Sequence, residues 1–157
     1  MGESMIKGYR HTGVIVKNMD ASLHFYQDLL GLTVLQDFTD DTPYINKISG
    51  MDGANIHMVK LSTKDGTVVE LMEYLNHPTD LIKQPIYNVG ACHLAFSVEN
   101  IEKLYERLSQ ANVSLISEPV PSSDNVAKVF FCLDPNNVRI ELVEMMTDIE
   151  PWDSGKR

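Results

Sequence analysis

Four side chains able to bind a metal ion lie at matching places in the two halves of the sequence. His11 and His93 each lie in a short apolar segment, and Glu70 and Glu141 each follow in the last apolar segment of their half. Imidazole nitrogen and carboxylate oxygen together suit Zn²⁺, Ni²⁺, Co²⁺, Mn²⁺ or Fe²⁺, and a set without thiolate argues against a closed structural zinc site. Two carboxylates would also balance the charge of a divalent ion. The sequence therefore predicts one divalent metal ion bound by these four residues.

A histidine and a glutamate recur at matching positions because the two halves of the sequence repeat one another. Superimposing the segment that begins at His11 on the one that begins at His93 aligns further positions, and VVELMEY aligns with RIELVEM. The coinciding pairs include Val16 with Val98, Asn18 with Asn100, Glu70 with Glu141 and Glu73 with Glu144. We interpret the chain as two copies of one module.

Hydrophobic periodicity predicts the order β-α-β-β-β in each module. The predicted strands are 9–17, 32–38, 55–62 and 67–74 in the first module and 90–98, 114–118, 127–134 and 138–145 in the second, with helices over 20–31 and 99–113. Asp20 is predicted to cap the first helix and Gly31 to end it, whereas PYINKISGMDG is ambiguous and is interpreted as a helical turn and a loop. The predicted fold class is α+β, with two tandem βαβββ modules forming one curved mixed eight-stranded sheet and the helices outside.

Strand alternation predicts that both histidines lie on a sheet face with small neighbours. His11 shares its face with Gly13 and Ile15, and His93 shares its face with Ala91, Ala95 and Ser97, while the bulkier residues point the other way. Such a face leaves room for a metal ion and a ligand. His24, His57 and His77 have no counterpart in the repeat, so they are interpreted as surface residues, with His57 the one substitute ligand to consider.

Length, charge and cysteine content restrict the class of protein. The 157 residues predict a single domain, with module one at about 8–76, a connection at 77–89, module two at 90–146 and a C-terminal tail at 147–157. A net charge of −9 without a Lys/Arg cluster argues against nucleic acid and membrane partners. The opening MGESMIKGYR has no apolar signal core, which predicts a cytoplasmic protein. Cys92 and Cys132 lie in apolar runs and are expected to be buried, reduced thiols.

The segment HTGVIVKNMDASLHFYQDLLGLTVL resembles the opening of the vicinal oxygen chelate superfamily, which includes glyoxalase I, methylmalonyl-CoA epimerase, extradiol dioxygenases and the fosfomycin and bleomycin resistance proteins. CHLAFSV and DPNNVRIELVE resemble the family's second histidine strand and the turn before its last ligand glutamate. The resemblance covers about residues 8–146 and implies metal ligands at His11, Glu70, His93 and Glu141. A carboxylate at Glu70 places the chain nearest to the glyoxalase I and methylmalonyl-CoA epimerase branch.

This branch implies a metal-dependent lyase or isomerase that moves a proton next to a metal-chelated carbonyl of a small-molecule substrate. Glu141 is the first candidate for the base and Glu70 the second, with Glu144 or a water molecule as the alternative. Arg139 either holds a substrate anion or is a surface charge. Bacterial glyoxalase I has an Arg and an Asn that bind glutathione where this chain has Ile15 and Tyr74, so the use of a thiol co-substrate stays open.

The sequence leaves two alternative functions open and predicts the oligomeric state. One alternative is a metal-free protein that binds a small molecule, as in resistance proteins. The other is an iron-dependent extradiol-type dioxygenase, which Glu70 disfavours because it would occupy a coordination position needed by oxygen or catechol. Members of the resembled family are commonly dimers, and a dimer of two chains would cover edge strands of the sheets. Both points predict a homodimer.

Overall fold

The computed structural model describes residues 5–77, 79–83 and 85–147. The chain divides into two compact units, Met1–Asp80 (unit one) and Leu81–Arg157 (unit two), and each carries one of the repeated modules. The prediction that both modules form a single domain stays a prediction. In the described part of the chain, no helix is long and apolar enough to cross a membrane.

Unit one is a four-stranded mixed sheet with two helices. Its elements are β1 (Thr12–Ile15), α1 (Met19–Leu23, continuing as a π-helical segment His24–Leu29), β2 (Thr33–Asp40), α2 (Pro43–Ser49), β3 (Ile56–Ser62) and β4 (Val68–Tyr74). The strand order is β1-β4-β3-β2. The first and last strands pair in parallel, and the other neighbours are antiparallel. The two ends of the module therefore lie side by side.

The start of α1 differs from the prediction by its capping residue. Asn18, with extended backbone angles, accepts a hydrogen bond from the Ala21 N–H at 2.8 Å, whereas Asp20 lies inside the first turn. Asparagine in an extended conformation satisfies one of the free amides at a helix start, so the helix begins before Asp20. The prediction for Gly31 is confirmed, because its positive φ of 81° ends the helical segment and its N–H donates to the Gln27 carbonyl.

The segment that the sequence left open forms helix α2. Pro43 stands in its first turn, where a missing N–H costs nothing, and Gly50 ends it with a φ of 69°. Ile45 is buried with Ile56 and Met58 of β3, and the partly buried side chains packed against this cluster are Met51, Met72 and Tyr74. Met72 has the same strand parity as Glu70, so α2 covers part of the sheet face on which Glu70 lies.

Unit two contains a five-stranded mixed sheet and one described helix. Its elements are β5 (His93–Ser97), α3 (Ile101–Gln110), β6 (Ser114–Leu115), β7 (Val120–Pro121), β8 (Ala127–Leu133) and β9 (Arg139–Met145). The strand order is β5-β9-β8-β6, with β7 also paired to β8, and β5 runs parallel to β9. The core of this unit consists of fully buried side chains from α3, β8 and β9, namely Ile101, Leu108, Phe130, Ile140 and Leu142.

The α+β class is confirmed, and each unit follows the β-α-β-β-β order with one added element, α2 or β7, but the predicted strand 114–118 is shortened to Ser114–Leu115. Ser114–Leu115 and Val120–Pro121 pair separately with β8, so the described residues form nine strands in sheets of four and five. Pro121 has no N–H to donate to a ladder, and a proline is tolerated on such an edge strand. The predicted strand is therefore shorter than expected, and a second short strand follows it outside the predicted range.

The two cysteines differ from each other, and the prediction for one of them was wrong. Both are free thiols; Cys132 is buried in β8, whereas Cys92 is exposed. Cys92 precedes β5, an edge strand of its sheet, so its apolar neighbours in sequence do not cover it. Burial, with a smaller contribution from Asp134, raises the pKa of the Cys132 thiol to about 12.

Candidate metal centre

In unit one, His11 and Glu70 lie in direct contact. The distance from His11 Nε2 to Glu70 Oε2 is 3.1 Å, and the side chains are 32% and 11% exposed. The parallel ladder places Glu70 opposite Gly13, two residues after His11, so both side chains lie on the same face of the sheet. A Cβ atom at Gly13 would lie 2.8 Å from Met72 Cε, so glycine allows this close approach beside the pair.

Unit two repeats the same arrangement. His93 Nε2 lies 2.9 Å from Glu141 Oε2, with side chains 42% and 23% exposed. The parallel ladder places Glu141 opposite Ala95, again two residues after the histidine. The His93 ring also makes an edge contact with Phe131, at 5.7 Å between centroids. We call the sheet side that carries the His–Glu pair the ligand face of its unit.

Each unit therefore presents one imidazole and one carboxylate on strands paired in the same register. The distance between the histidine Nε2 and the glutamate Oε2 is nearly the same in both units. Within the ranges that the structure describes, no group of three or more His, Cys, Asp or Glu side chains is close enough to hold a metal ion. What the structure brings together is one pair in each unit. The binding of a single ion by all four residues stays a prediction.

The other three histidines have local partners. His24 Nδ1 lies 3.0 Å from Asp28 on the same helical segment, and His77 Nδ1 lies 2.9 Å from the Asn76 side chain. His57 Nε2 lies 2.7 Å from Asp37 Oδ1. The ladder pairs His57 with Glu73, and Glu73 lies three residues from Glu70 along the strand. Strand alternation thus puts His57 on the face opposite the pair, so it is not placed to substitute as a ligand.

Glu144, the alternative base, instead caps helix α3. Its Oε1 accepts a hydrogen bond from the Asn100 N–H at 2.8 Å, and its Oε2 accepts one from the Ile101 N–H at 3.0 Å. Glu144 lies three residues from Glu141 and therefore on the other face of the sheet. The repeat residue Glu73 accepts in the same way from the Met19 N–H at 3.1 Å. The repeated glutamates thus divide into one pair on the ligand faces and one pair at helix starts.

The sequence reasoning missed Lys60, which the structure places beside Glu70. Lys60 Nζ lies 3.5 Å from Glu70 Oε1, donates a hydrogen bond to Gln36 Oε1 at 3.2 Å and stands 5.7 Å from the centre of the Phe38 ring. Its position on β3 is directly across from Glu70. The signal in the sequence was a charged residue inside the otherwise apolar run MVKL.

Arg139 shares the ligand face of unit two with Glu141. It lies across from His93 in the parallel ladder, two residues from Glu141 on the same strand. Its guanidinium carbon is 6.0 Å from the centre of the Phe131 ring. A cation therefore stands beside the His–Glu pair in each unit, from β3 in unit one and from β9 in unit two.

Residues 8–142 match the family model described as the Glyoxalase/Bleomycin resistance protein/Dioxygenase superfamily, and the chain belongs to that superfamily. It is 29% identical over 143 residues to a lactoylglutathione lyase of Schizosaccharomyces pombe, covering 85% of this chain and 46% of the relative, so the chain spans about half the length of that relative. It is 28% identical over 134 residues to a probable lactoylglutathione lyase of Synechocystis, covering 85% of this chain and 92% of the relative.

Solved structures share the fold. A glyoxalase family protein from Bacillus cereus superimposes with a TM-score of 0.85 at 21% identity, covering 94% of this chain and 99% of that one. A mutant of the fosfomycin resistance protein FosX from Listeria monocytogenes, complexed with Mn(II) and 1S,2S-dihydroxypropylphosphonic acid, has a TM-score of 0.62 at 18% identity and covers 88% of this chain and 90% of that one. These likenesses confirm the predicted fold class.

Proposed function

We propose that the protein is a metal-dependent lyase or isomerase of the glyoxalase type, which transfers a proton next to a chelated carbonyl of a small-molecule substrate. The observation that carries the proposal is the His–Glu pair that recurs with one register on the ligand face of each unit. Relatives named lactoylglutathione lyase support the reaction type. The FosX structure with Mn(II) supports the use of a divalent cation in this fold.

His11, Glu70, His93 and Glu141 would hold one divalent cation. The donor set fits, because two neutral imidazoles and two carboxylates balance a charge of two and contain no thiolate. When bound, the cation supplies Lewis-acid polarisation of the substrate carbonyl. The side chains of this chain bind the substrate, orient it and move the proton.

Glu141 is the better candidate for the base. Glu70 is the more buried carboxylate, and it contacts both His11 and Lys60. Glu141 is more exposed, and its cross-strand neighbour is Phe131 rather than a lysine. Glu141 therefore moves at lower cost to accept a proton from the carbon next to the substrate carbonyl, and Glu70 remains the second candidate.

The deciding experiment is a panel assay of α-oxo thioesters, hemithioacetals and acyl-CoA compounds with each of Zn²⁺, Ni²⁺, Co²⁺, Mn²⁺ and Fe²⁺ restored. With the substrate found, Glu141→Gln should lower kcat by about two to four powers of ten while KM changes little, because the lost interaction belongs to the transition state. Glu144→Gln is the matched control, since it alters a carboxylate on the same strand but on the opposite face.

Several outcomes would contradict the proposal. Parent-like turnover by metal-restored Glu141→Gln would move the base to Glu70, to be tested by the same substitution. Oxygen consumption equal to product formation would replace proton transfer by dioxygenase chemistry. Less than about half an equivalent of metal after reconstitution would favour a metal-free binding protein.

A further inference from the structure

Lys60 is held on the ligand face of unit one by three neighbours. Its ammonium contacts the carboxylate of Glu70, donates to the side-chain oxygen of Gln36 and stands over the ring of Phe38. The Lys60 side chain is only 24% exposed. Ordering a lysine in this way costs rotamer entropy, and favourable contacts of the ammonium have to offset that cost.

The repeat shows that a His–Glu pair forms without a cation at the position directly across the antiparallel ladder from its glutamate. Lys60 lies directly across from Glu70 on β3, and the equivalent position across from Glu141 on β8 is Phe131. Nevertheless the contact between His93 and Glu141 is as short as the one between His11 and Glu70. Lys60 therefore supplies a positive charge at a position where unit two has an aromatic ring.

The charges on this face indicate what this positive charge binds. Glu70 is the counter-charge of Lys60, with 3.5 Å between Nζ and Oε1. Once Glu70 shares its charge with a metal ion, the other contacts that the ammonium makes with the described residues are to neutral side chains, Gln36 and Phe38. A partly buried ammonium without a counter-charge is unfavourable, and an anionic group beside it restores the balance.

We propose that Lys60 binds an anionic group of the substrate, so that the chelated carbonyl compound also carries a carboxylate or a similar oxyanion. The inference rests on the metal-dependent function proposed above and narrows its substrate class. Lys60 is in this view a specificity-determining residue, which selects anionic substrates without taking part in the transfer of the proton.

The test compares two probes that offer a metal the same α-hydroxycarboxylate group and differ in one charge. Malate and 2-hydroxybutyrate share a hydroxy-acid end, and malate ends in a carboxylate where 2-hydroxybutyrate ends in a methyl group. Calorimetric titration into the Mn²⁺-loaded protein should show tighter binding of malate. Lys60→Met should weaken malate binding about tenfold, as expected for loss of a charged hydrogen bond, and leave 2-hydroxybutyrate unchanged.

Two control variants keep the result specific. Lys128→Met makes the same change to the net charge of −9, but Lys128 pairs with Glu102 of α3, so this variant should bind both probes like the parent. Lys60→Arg should retain the preference for malate. The Mn²⁺ affinity of Lys60→Met should equal or exceed that of the parent, because the ammonium no longer competes for Glu70.

Other results of these titrations would contradict either the proposed function or the role of Lys60. Failure of the parent to bind Mn²⁺ would remove the proposed function and this inference with it. Three results with Mn²⁺ bound would contradict the role of Lys60 and leave the proposed function standing. They are equal binding of the two probes, no binding of either probe, and a preference for malate that persists in Lys60→Met. Loss of the preference in Arg139→Met but not in Lys60→Met would assign the anion to unit two and overturn the role of Lys60.

Discussion

The carboxylate of Glu141 lies 2.9 Å from Nε2 of His93, although the two residues stand on the last and first strands of unit two. The parallel ladder between β5 and β9 brings them together, and the ladder between β1 and β4 does the same for His11 and Glu70. In unit two the pair lies on the face away from the buried Phe130, Ile140 and Leu142, whereas in unit one the buried Glu70 shares its face with the cluster under α2. Both histidine side chains are partly exposed, so replacing them should alter the proposed metal binding separately from folding.

Replacement of either ligand histidine tests this separation. We expect His11→Ala and His93→Ala to weaken Mn²⁺ binding by at least about a hundredfold, because each removes one of four ligands. The free energy of unfolding should change by less than about 1 kcal/mol, since both side chains are partly exposed. Equilibrium dialysis and urea unfolding measure the two effects, with His24→Ala as the surface control. Full metal retention in both variants would remove the histidines from the site.

Removal of the Glu144 carboxylate should have the opposite effects. Both of its oxygens accept hydrogen bonds from backbone amides at the start of α3, so Glu144→Ala should lower the free energy of unfolding by about 1–2 kcal/mol. Mn²⁺ affinity should stay within about twofold of the parent. Urea unfolding provides the test, with the exposed Glu118→Ala as control. A stable variant that loses metal would contradict the assignment of Glu144 to helix capping.

The two thiols should react at different rates. At pH 8 the folded protein should take up one equivalent of iodoacetamide, at the exposed Cys92, and a second equivalent after unfolding in urea. Mass spectrometry of peptides identifies the labelled residue. Rapid double labelling of the folded protein would show that β8 opens readily.

The pKa of Cys132 also predicts a loss of stability at alkaline pH. Burial raises this pKa from its ordinary value of 9.0 to about 12, so above pH 9 the unfolded thiol ionises while the folded one stays neutral. The buried neutral thiol therefore contributes fully to the free energy of unfolding below pH 9, and this contribution is lost as the pH rises toward 12. Urea unfolding of the parent across this range should show the decline, and Cys132→Val should show less of it. An equal decline in both proteins would assign it to other groups.

A homodimer is the expected assembly. Strands β1 and β5 are edge strands of their sheets, and Ile15 on β1 is 48% exposed. Unpaired edges of this kind are commonly covered by a partner. Sedimentation equilibrium at micromolar concentration should give about twice the chain mass of 17.7 kDa. A fully active monomer would contradict this expectation and place the active site within one chain.

Residues that recur in the repeat were the most predictable from the sequence. The alternation of small and bulky side chains around His11 correctly predicted the buried Val14 and Val16 on the face away from the histidine. The same alternation correctly placed Glu141 and Arg139 on one face. Such inferences succeed because a strand has a fixed period of two, so the position of one side chain determines the face of the others.

Features that depend on non-local contacts were less predictable. Asn18 and Asp20 are both good caps by residue type, and the choice of Asn18 depends on backbone angles that the sequence does not show. The helix at 43–49 packs Ile45 against β3, and pairing with β8 extends to Val120–Pro121, beyond the predicted strand; neither contact can be deduced from the local sequence. The sequence alone did not indicate that Lys60 lies beside the candidate site, because its position across from Glu70 depends on the strand register.

The parallel ladders leave the intervening chain free to change. In unit one the connection between β2 and β3 forms α2, whose Ile45 packs on the ligand face, whereas in unit two the stretch before β8 forms β7 instead. Neither segment pairs with β1, which follows His11, or with β5, which begins at His93. Insertions or exchanges there could reshape the walls around a bound molecule while the separation of each His–Glu pair stays constant. Such an architecture permits the surroundings of the two His–Glu pairs to diverge among relatives while the pairs themselves keep their geometry.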